Sequence, residues 1–404
     1  MPRGERTGML AGVRILDATR LLPGPYAGWL LALMGAEVIK VERPGMGDPM
    51  RQNWPRRGGV STVFHLYNGG KRSVALDLKQ EDGVRAFLDL AATCDVVMDG
   101  NRPGVMDRLG CGWEACRRAR PSLVYCAITG FGQDGPFRDR VGHDINYLSL
   151  VGAMTGLVDE AGRPVAPRVT LADMAGGGLM AVGALLAALL PARELGEGRF
   201  VDVSMTDTIL SIQGLRIAEE LLPGDRKPTD DAFPPDNDNE FGTYATSDGR
   251  FITLDPWEAR FKDILWSAIE GAGWGERPGP RTDRPEVRAA LAAVVASRSL
   301  AEWEALLDGK EVPYAPVLEL VELADSPQIA FRGSLGDGLD PTVPSPSLGD
   351  PVRFEPPARP DEVAPAPEVG ADTIAELTAI GWSSEEIEQA VASGAVATSV
   401  EKVR

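Results

Sequence analysis

Histidine is almost missing from this chain: of 404 residues only His65 and His143 carry an imidazole. Cysteine is nearly as scarce, with Cys94, Cys111, Cys116 and Cys126 all inside 33 residues. Cys111 and Cys116 have no matching second pair and no histidine nearby, which argues against a zinc site. With no secretory leader, the expectation is reduced thiols in a cytoplasmic protein. Basic charge is in deficit, 41 Lys and Arg against 59 Asp and Glu, for a net −18. That balance argues against sequence-independent binding to nucleic acid or to an anionic membrane. It leaves room for a local basic pocket around a phosphorylated ligand. The longest apolar run, near Ala181 to Leu190, is too short to span a bilayer. There is no internal repeat. The first strand is followed by Pro23-Gly24-Pro25 and not by G-x-G-x-x-G, so a nicotinamide dinucleotide is not expected.

What is present is ordinary soluble composition, 44% apolar and 25% charged, in a chain long enough for two domains. Val13 to Asp17 and Glu37 to Glu42 read as strands flanking a helix from Ala27 to Met34, with Pro23-Gly24-Pro25 as a loop. This is a right-handed βαβ unit on a parallel sheet. Further strands are expected at Ser73–Leu78, Asp95–Met98, Leu123–Ile128 and Phe200–Ser204. The reading is an α/β protein. A large Rossmann-like parallel-sheet domain spans 9–222, followed by a linker at 223–239 and a smaller α+β domain at 240–332. The remainder, 333–404, reads as an extended arm and two short helices that return to the large domain. In the small domain, Thr243 to Leu254 reads as a hairpin turning at Ser247-Asp248-Gly249.

One stretch gathers the chemistry, Gly142 to Gly178. His143 opens it beside Asp144 and Tyr147, just past the carboxyl end of a parallel strand, where open α/β sheets place ligands. Asp173 closes it, ahead of Gly176-Gly177-Gly178 and the apolar run, as a carboxylate at the first turn of a buried helix. Two readings stay open on these residues alone. One is a general acid/base pair; the other is a buried, satisfied histidine and an N-cap aspartate.

The motifs then narrow the choice. Gly12-Val13-Arg14-Ile15-Leu16-Asp17, Gly35 to Gly45, Lys71 to Lys79, Asn101 to Gly110, Thr129-Gly130-Phe131-Gly132-Gln133 and Val201 to Met205 resemble the class III CoA-transferase superfamily of the CaiB/BaiF type. The resemblance runs over roughly residues 10 to 395. Gly142-His143-Asp144-Ile145-Asn146-Tyr147 is similar to the α-methylacyl-CoA racemase branch, as is Glu258 followed by Phe261. The resemblance implies racemisation of 2-methylacyl-CoA thioesters through an enolate, with His143 and Asp173 as acid/base pair and Glu258 orienting His143, a task Asp144 could share. Backbone N–H groups near Asp173 and Gly176-Gly177-Gly178 would hold the enolate oxygen. It also implies CoA contacts by Arg43, Leu76, Lys79, Arg108 and Leu109, and an interlocked homodimer. No metal and no separate cofactor is implied, since CoA belongs to the substrate. The alternative is CoA transfer between carboxylic acids, with Asp173 as the nucleophile. Where the racemases have Gly-Ala-Ile before the glutamate, this chain has Asp255-Pro256-Trp257, bulkier and more polar. His65 has no partner motif.

Overall fold

The computed structural model describes residues 8–57, 59–159, 161–221, 242–279, 284–336, 347–355 and 364–399. The linker expected at 223–239 and, within the arm expected from residue 333, residues 337–346 and 356–363 lie outside these. The chain divides into two compact units, Met1–Gln213 with Pro327–Arg404, and Gly214–Ser326.

The first unit is built on a seven-stranded sheet. Six strands are parallel: β1 (Arg14–Ala18), β2 (Glu37–Glu42), β3 (Arg72–Leu76), β4 (Val96–Asp99), β5 (Val124–Thr129) and β6 (Arg199–Ser204). Their spatial order is β3-β2-β1-β4-β5-β6, and Val396–Ala397 adds an antiparallel edge beside β3. The chain therefore reverses direction of travel between β1 and β4. That switch point opens a crevice at the carboxyl ends of the strands. Both sheet faces are buried over β1 to β5, which is why those strands read as near-continuous apolar runs, while the edge strand β6 is exposed over Arg199 and Phe200. Successive residues face opposite sides: Ile15, Val38 and Val124 join one core, Leu16, Ile39 and Tyr125 the other. The first core is covered by α1 (Pro23–Leu33), the second by α2 (Glu81–Ala92) and α3 (Trp113–Ala119). Leu377, Trp382 and Ile387 of the C-terminal segment complete the second core.

Helix α1 begins four residues earlier than expected. Pro23 occupies its first turn, where a missing N–H costs nothing and a fixed φ suits the helix. Composition alone made Pro23-Gly24-Pro25 look like a loop. After β5 come α4 (Asp144–Leu150) and one continuous helix, α5, from Ala172 to Leu195. Its first part, Ala172–Leu179, is wound as a π-helix, and Met180–Leu195 continues as α-helix with Pro191 inside. Expectation had stopped at the uninterrupted apolar run. The whole helix, with mean hydropathy 1.8, is by length and composition able to cross a bilayer. Ala181, Val182, Leu185, Leu189 and Ala192 pack in the first core, as in a core helix of a globular unit. The helix is not buried all round, however: Leu179, Met180, Leu190 and Leu195 are exposed. Helix α6 (Met205–Ile212) follows β6 directly.

The second unit has an antiparallel sheet of β7 (Gly242–Ala245), β8 (Phe251–Leu254) and β9 (Tyr314–Pro316), with β8 central. The hairpin expected between β7 and β8 is present, and Gly249 supplies the left-handed turn residue at φ 75°. Helices α7 (Ala259–Gly271), α8 (Arg284–Val295) and α9 (Leu300–Leu307) pack on this sheet through Trp266, Ile269, Leu291 and Trp303. The expected fold class, a large mainly parallel sheet with a smaller α+β unit, is the one observed.

Candidate active site

Two cavities open at the carboxyl ends of the parallel strands. The first, about 300 Å³, is lined by the loops after β1, β2, β3 and β4. Arg43, Leu76, Lys79 and Leu109 all reach it, so four of the five expected CoA contacts share one space. Arg108 does not line it. Its guanidinium lies over Gly104, where an added Cβ would stand 3.2 Å from Arg108 Nη1 and 3.3 Å from Arg138 Nη2. Asp77, also in this wall, is held below the usual carboxylate range, first by a hydrogen bond from Gln80 and then by the Lys79 N–H and the charges of Arg43 and Lys79.

The second cavity, about 430 Å³, brings His143 and Asp173 together with Leu21, Gly24, Phe131, Tyr147 and Met205. His143 is the N-cap of α4, its N–H donating to Asn146 Oδ1 at 3.0 Å. It is exposed, which rules out the reading of a buried, satisfied histidine. The reason is local: it ends a loop and starts a helix at the open rim. Asp173 stands in the first turn of α5 as expected, though Leu171 takes the cap position. Burial raises its carboxyl to about 6, helped by the Asp144 charge and opposed by His143.

Asp144 has a different task from orienting His143. It is buried, and its Oδ1 accepts the N–H of Asp173 at 3.0 Å, tying the start of α5 to the start of α4. Nothing in the sequence pattern pointed to this bond. Tyr147 is pushed up to about 12, chiefly by burial and then by Asp173 and Asp144. Its ring fits because Gly130 and Gly142 lack side chains; a Cβ would stand 2.2 Å and 2.8 Å from Tyr147 Cε1.

The three glycines after Asp173 serve packing. An added Cβ on Gly177 would be 2.8 Å from Pro23 Cβ, and one on Gly178 would be 2.6 Å from Tyr26 Cδ1. One on Gly176 would be 3.2 Å from Met205 O, a looser contact. They let the π-wound start of α5 press against α1 and α6. Lying past the first helical turn, their N–H groups belong to the helix's own ladder, which removes them as donors to an enolate. Arg20, Asn101, Arg102, Arg138 and Arg140 also line this cavity and had not been singled out. Their position at strand carboxyl ends was the available signal. In the second unit, Glu258 is an exposed N-cap of α7 without a side-chain capping bond. Its charge, after burial, raises the nearby Asp255 carboxyl.

His143 and Asp173 thus line one cavity at the carboxyl ends of the strands, and Arg43 and Lys79 line the neighbouring one. The chain belongs to CoA-transferase family III, whose sequence model matches residues 10–373. It is 33% identical over 371 residues to the mouse (Mus musculus) succinyl-CoA:glutarate CoA-transferase, covering 90% of this chain and 84% of that one. It is equally 33% identical over 384 residues to the mouse alpha-methylacyl-CoA racemase, covering 94% and 96%. Among solved structures, a CAIB/BAIF family protein from Brucella suis superposes with a TM-score of 0.77 at 27% identity, covering 93% of this chain and 100% of the other. The protein is thus an enzyme of the family III CoA-transferase and racemase superfamily.

Proposed function

We propose that the enzyme racemises 2-methylacyl-CoA thioesters by proton transfer at C2. The observation that carries this reading is a single cavity lined by His143 and by Asp173, whose carboxyl sits at about 6. A carboxyl near neutrality is suited to give and take protons at physiological pH, whereas a nucleophilic carboxylate gains nothing from being held toward its protonated form.

In one direction His143 takes the C2 proton as a neutral imidazole, and the C–H electron pair moves into the thioester enolate. Asp173, protonated, returns a proton to the opposite face. The reverse direction exchanges the roles. Positioned groups of this type contribute about 10²–10⁴-fold. The enolate oxygen finds its donor at the start of α1. Pro23 and Pro25 have no N–H, which leaves Gly24 as the donor among the three, in the first turn of a helix where N–H groups lack intrahelical partners and negative charge is favoured. By resemblance, Glu258 would orient His143. On the same grounds Arg43, Leu76, Lys79 and Leu109 would hold CoA, and Arg108 would meet its phosphates. The interlocked homodimer that the resemblance implies would cover the exposed Leu179, Met180 and Leu190 row of α5. The reaction needs no metal and no cofactor beyond the thioester.

The second reading is CoA transfer, supported by 33% identity to a transferase, the same as to a racemase. Incubation of a (2R)-2-methylacyl-CoA in deuterated water, without an acceptor acid, separates the two. Deuterium entering C2 with loss of optical purity, abolished in His143→Ala, supports racemisation. Absence of exchange, with CoA moving once a carboxylic acid is added and hydroxylamine trapping an acyl group on Asp173, makes the enzyme a transferase.

A further inference from the structure

The two cavities meet at Arg20, which lines both together with Asn101. Arg20 is exposed and has no ion-pair partner among the described residues. The acidic groups of the first cavity are already engaged. Glu42 accepts from Arg51 Nε at 2.8 Å and from Ser73 Oγ at 2.7 Å, and Asp77 is bound by Gln80 and by the Lys79 N–H. Of the other arginines in the second cavity, Arg138 donates to Gln133 O at 2.8 Å and Arg140 lies over the Phe137 ring, while Arg102 lines the second cavity alone and does not reach the first.

The backbone that carries Arg20 is gripped on both sides. Lys40 Nζ donates to the carbonyl of Thr19 at 3.1 Å, and Asp48 Oδ1 accepts the N–H of Leu21 at 3.2 Å. Lys40 and Asp48 are themselves paired at 2.8 Å and fully or nearly fully buried. Between these grips Leu21 adopts φ +67°, the one positive value at a non-glycine among the described residues. Such a conformation persists only where surrounding structure holds it, and it gathers at functional sites. A buried ion pair is weak as a stabilising device and is best attested as a means of specifying one conformation.

We propose that Arg20 is an anion-binding residue at the junction of the two cavities, fixed there by the buried Lys40–Asp48 pair as a positioning device. Its ligand is an anionic oxygen group of the acyl-CoA, either the diphosphate of CoA or a carboxylate on the acyl chain. The planar guanidinium fork matches both. The assignment rests on the CoA-thioester reading, though not on whether the chemistry is racemisation or transfer.

The test is equilibrium binding by calorimetry of three probes, CoA (with 3′-dephospho-CoA as its control), glutaryl-pantetheine and the uncharged butyryl-pantetheine, to wild type, Arg20→Ala and Arg20→Lys. Arg20→Ala is expected to weaken one anionic probe by about 10- to 100-fold, to leave butyryl-pantetheine unaffected, and to be partly rescued in Arg20→Lys. Loss on CoA that is matched on 3′-dephospho-CoA identifies the diphosphate; loss on glutaryl-pantetheine identifies an acyl carboxylate. A change under about twofold on both, or an equal loss on the uncharged probe, overturns the assignment. Leu21→Pro removes the N–H given to Asp48 and forbids positive φ, and Leu21→Ile disfavours the same φ more gently. Either should reproduce the anion-selective loss, on the same probe that Arg20→Ala weakens, in a protein whose circular dichroism is unchanged; wild-type affinity for both anionic probes in both variants would overturn the positioning role. Wild-type protein that binds no CoA would instead sink the CoA-thioester reading itself, and the Arg20 assignment with it.

Discussion

Asp144 holds Asp173 by the backbone and not by the carboxyl: its Oδ1 accepts the Asp173 N–H at 3.0 Å across 29 residues of chain. The same carboxylate also raises the Asp173 carboxyl through its charge, second only to burial. One residue therefore sets both the place and the proton affinity of the candidate acid. Asp144→Asn separates these effects, since an amide oxygen still accepts the N–H while the charge is gone. The Asp173 carboxyl should fall below about 6, moving the acidic limb of the pH–rate profile for C2 exchange downward by about one unit. Asp144→Ala loses the acceptor as well, and should lower stability by about 1–3 kcal/mol on urea unfolding. An unmoved acidic limb in Asp144→Asn would detach Asp144 from the titration.

A second expectation concerns stability at the cost of function. The folded carboxyl of Asp173, at about 6, lies above its unfolded value near 3.8. Its favourable contribution is therefore complete below the unfolded value and is lost as pH rises through the folded one. Above pH 6 the protein carries an ionised, half-buried carboxylate at a cost of up to about 2–3 kcal/mol. Asp173→Asn removes that cost. It should melt above wild type at pH 7.5, with the advantage shrinking toward pH 5, while catalysis is lost. A variant less stable than wild type at pH 7.5 would show that the carboxylate is not under this strain.

Close packing behind Asp173 gives a third. Gly177→Ala and Gly178→Ala each place a methyl inside the contact of α5 with α1, against Pro23 and Tyr26 respectively. Overpacking of this kind costs about 1–3 kcal/mol, and relief by sliding α5 would carry Asp173 with it. Both variants should lose kcat more than they raise KM. Gly183→Ala, on the same helix with open space at its Cβ, is the control and should change neither.

The parallel sheet was legible because its strands are buried on both faces and read as short apolar runs between glycine, proline and helical segments. His143 and Asp173 stood out through rarity and context: one of two histidines, and a carboxylate opening an apolar helix. The start of α1 was not legible, since Pro-Gly-Pro looks like a turn wherever it occurs and only the helix behind it shows the prolines to be first-turn residues. Nor was the exposure of His143, which depends on how the loop after β5 opens. The Asp144 bond to Asp173 and the grip of Lys40 and Asp48 on Thr19 and Leu21 join residues far apart in sequence. No local pattern encodes such contacts.

The last prediction concerns the buried pair beneath α1. Lys71 Nζ donates to Asp17 Oδ2 at 3.0 Å and to the carbonyl of Pro25 at 2.9 Å, with both ionic side chains fully buried. Gly28 makes the room; a Cβ there would stand 3.0 Å from each of the two charged atoms. Burial lowers Lys71 to about 8 despite the Asp17 charge, so the pair does not fully repay the desolvation of the ammonium. Asp17, in contrast, is held below its ordinary value despite burial by Lys71 and Lys40. Lys71→Met leaves Asp17 short of its main counter-charge and frees the Pro25 carbonyl. It should destabilise the protein by about 3–5 kcal/mol, and Asp17→Asn added to it should recover much of that loss. Because the folded value of Lys71 lies below the unfolded one, its contribution grows as pH rises from about 8 toward 10.5. The stability gap between wild type and Lys71→Met, read from urea unfolding, should widen over that window. A gap that is flat or narrows there would show that Lys71 titrates as freely when folded as when unfolded.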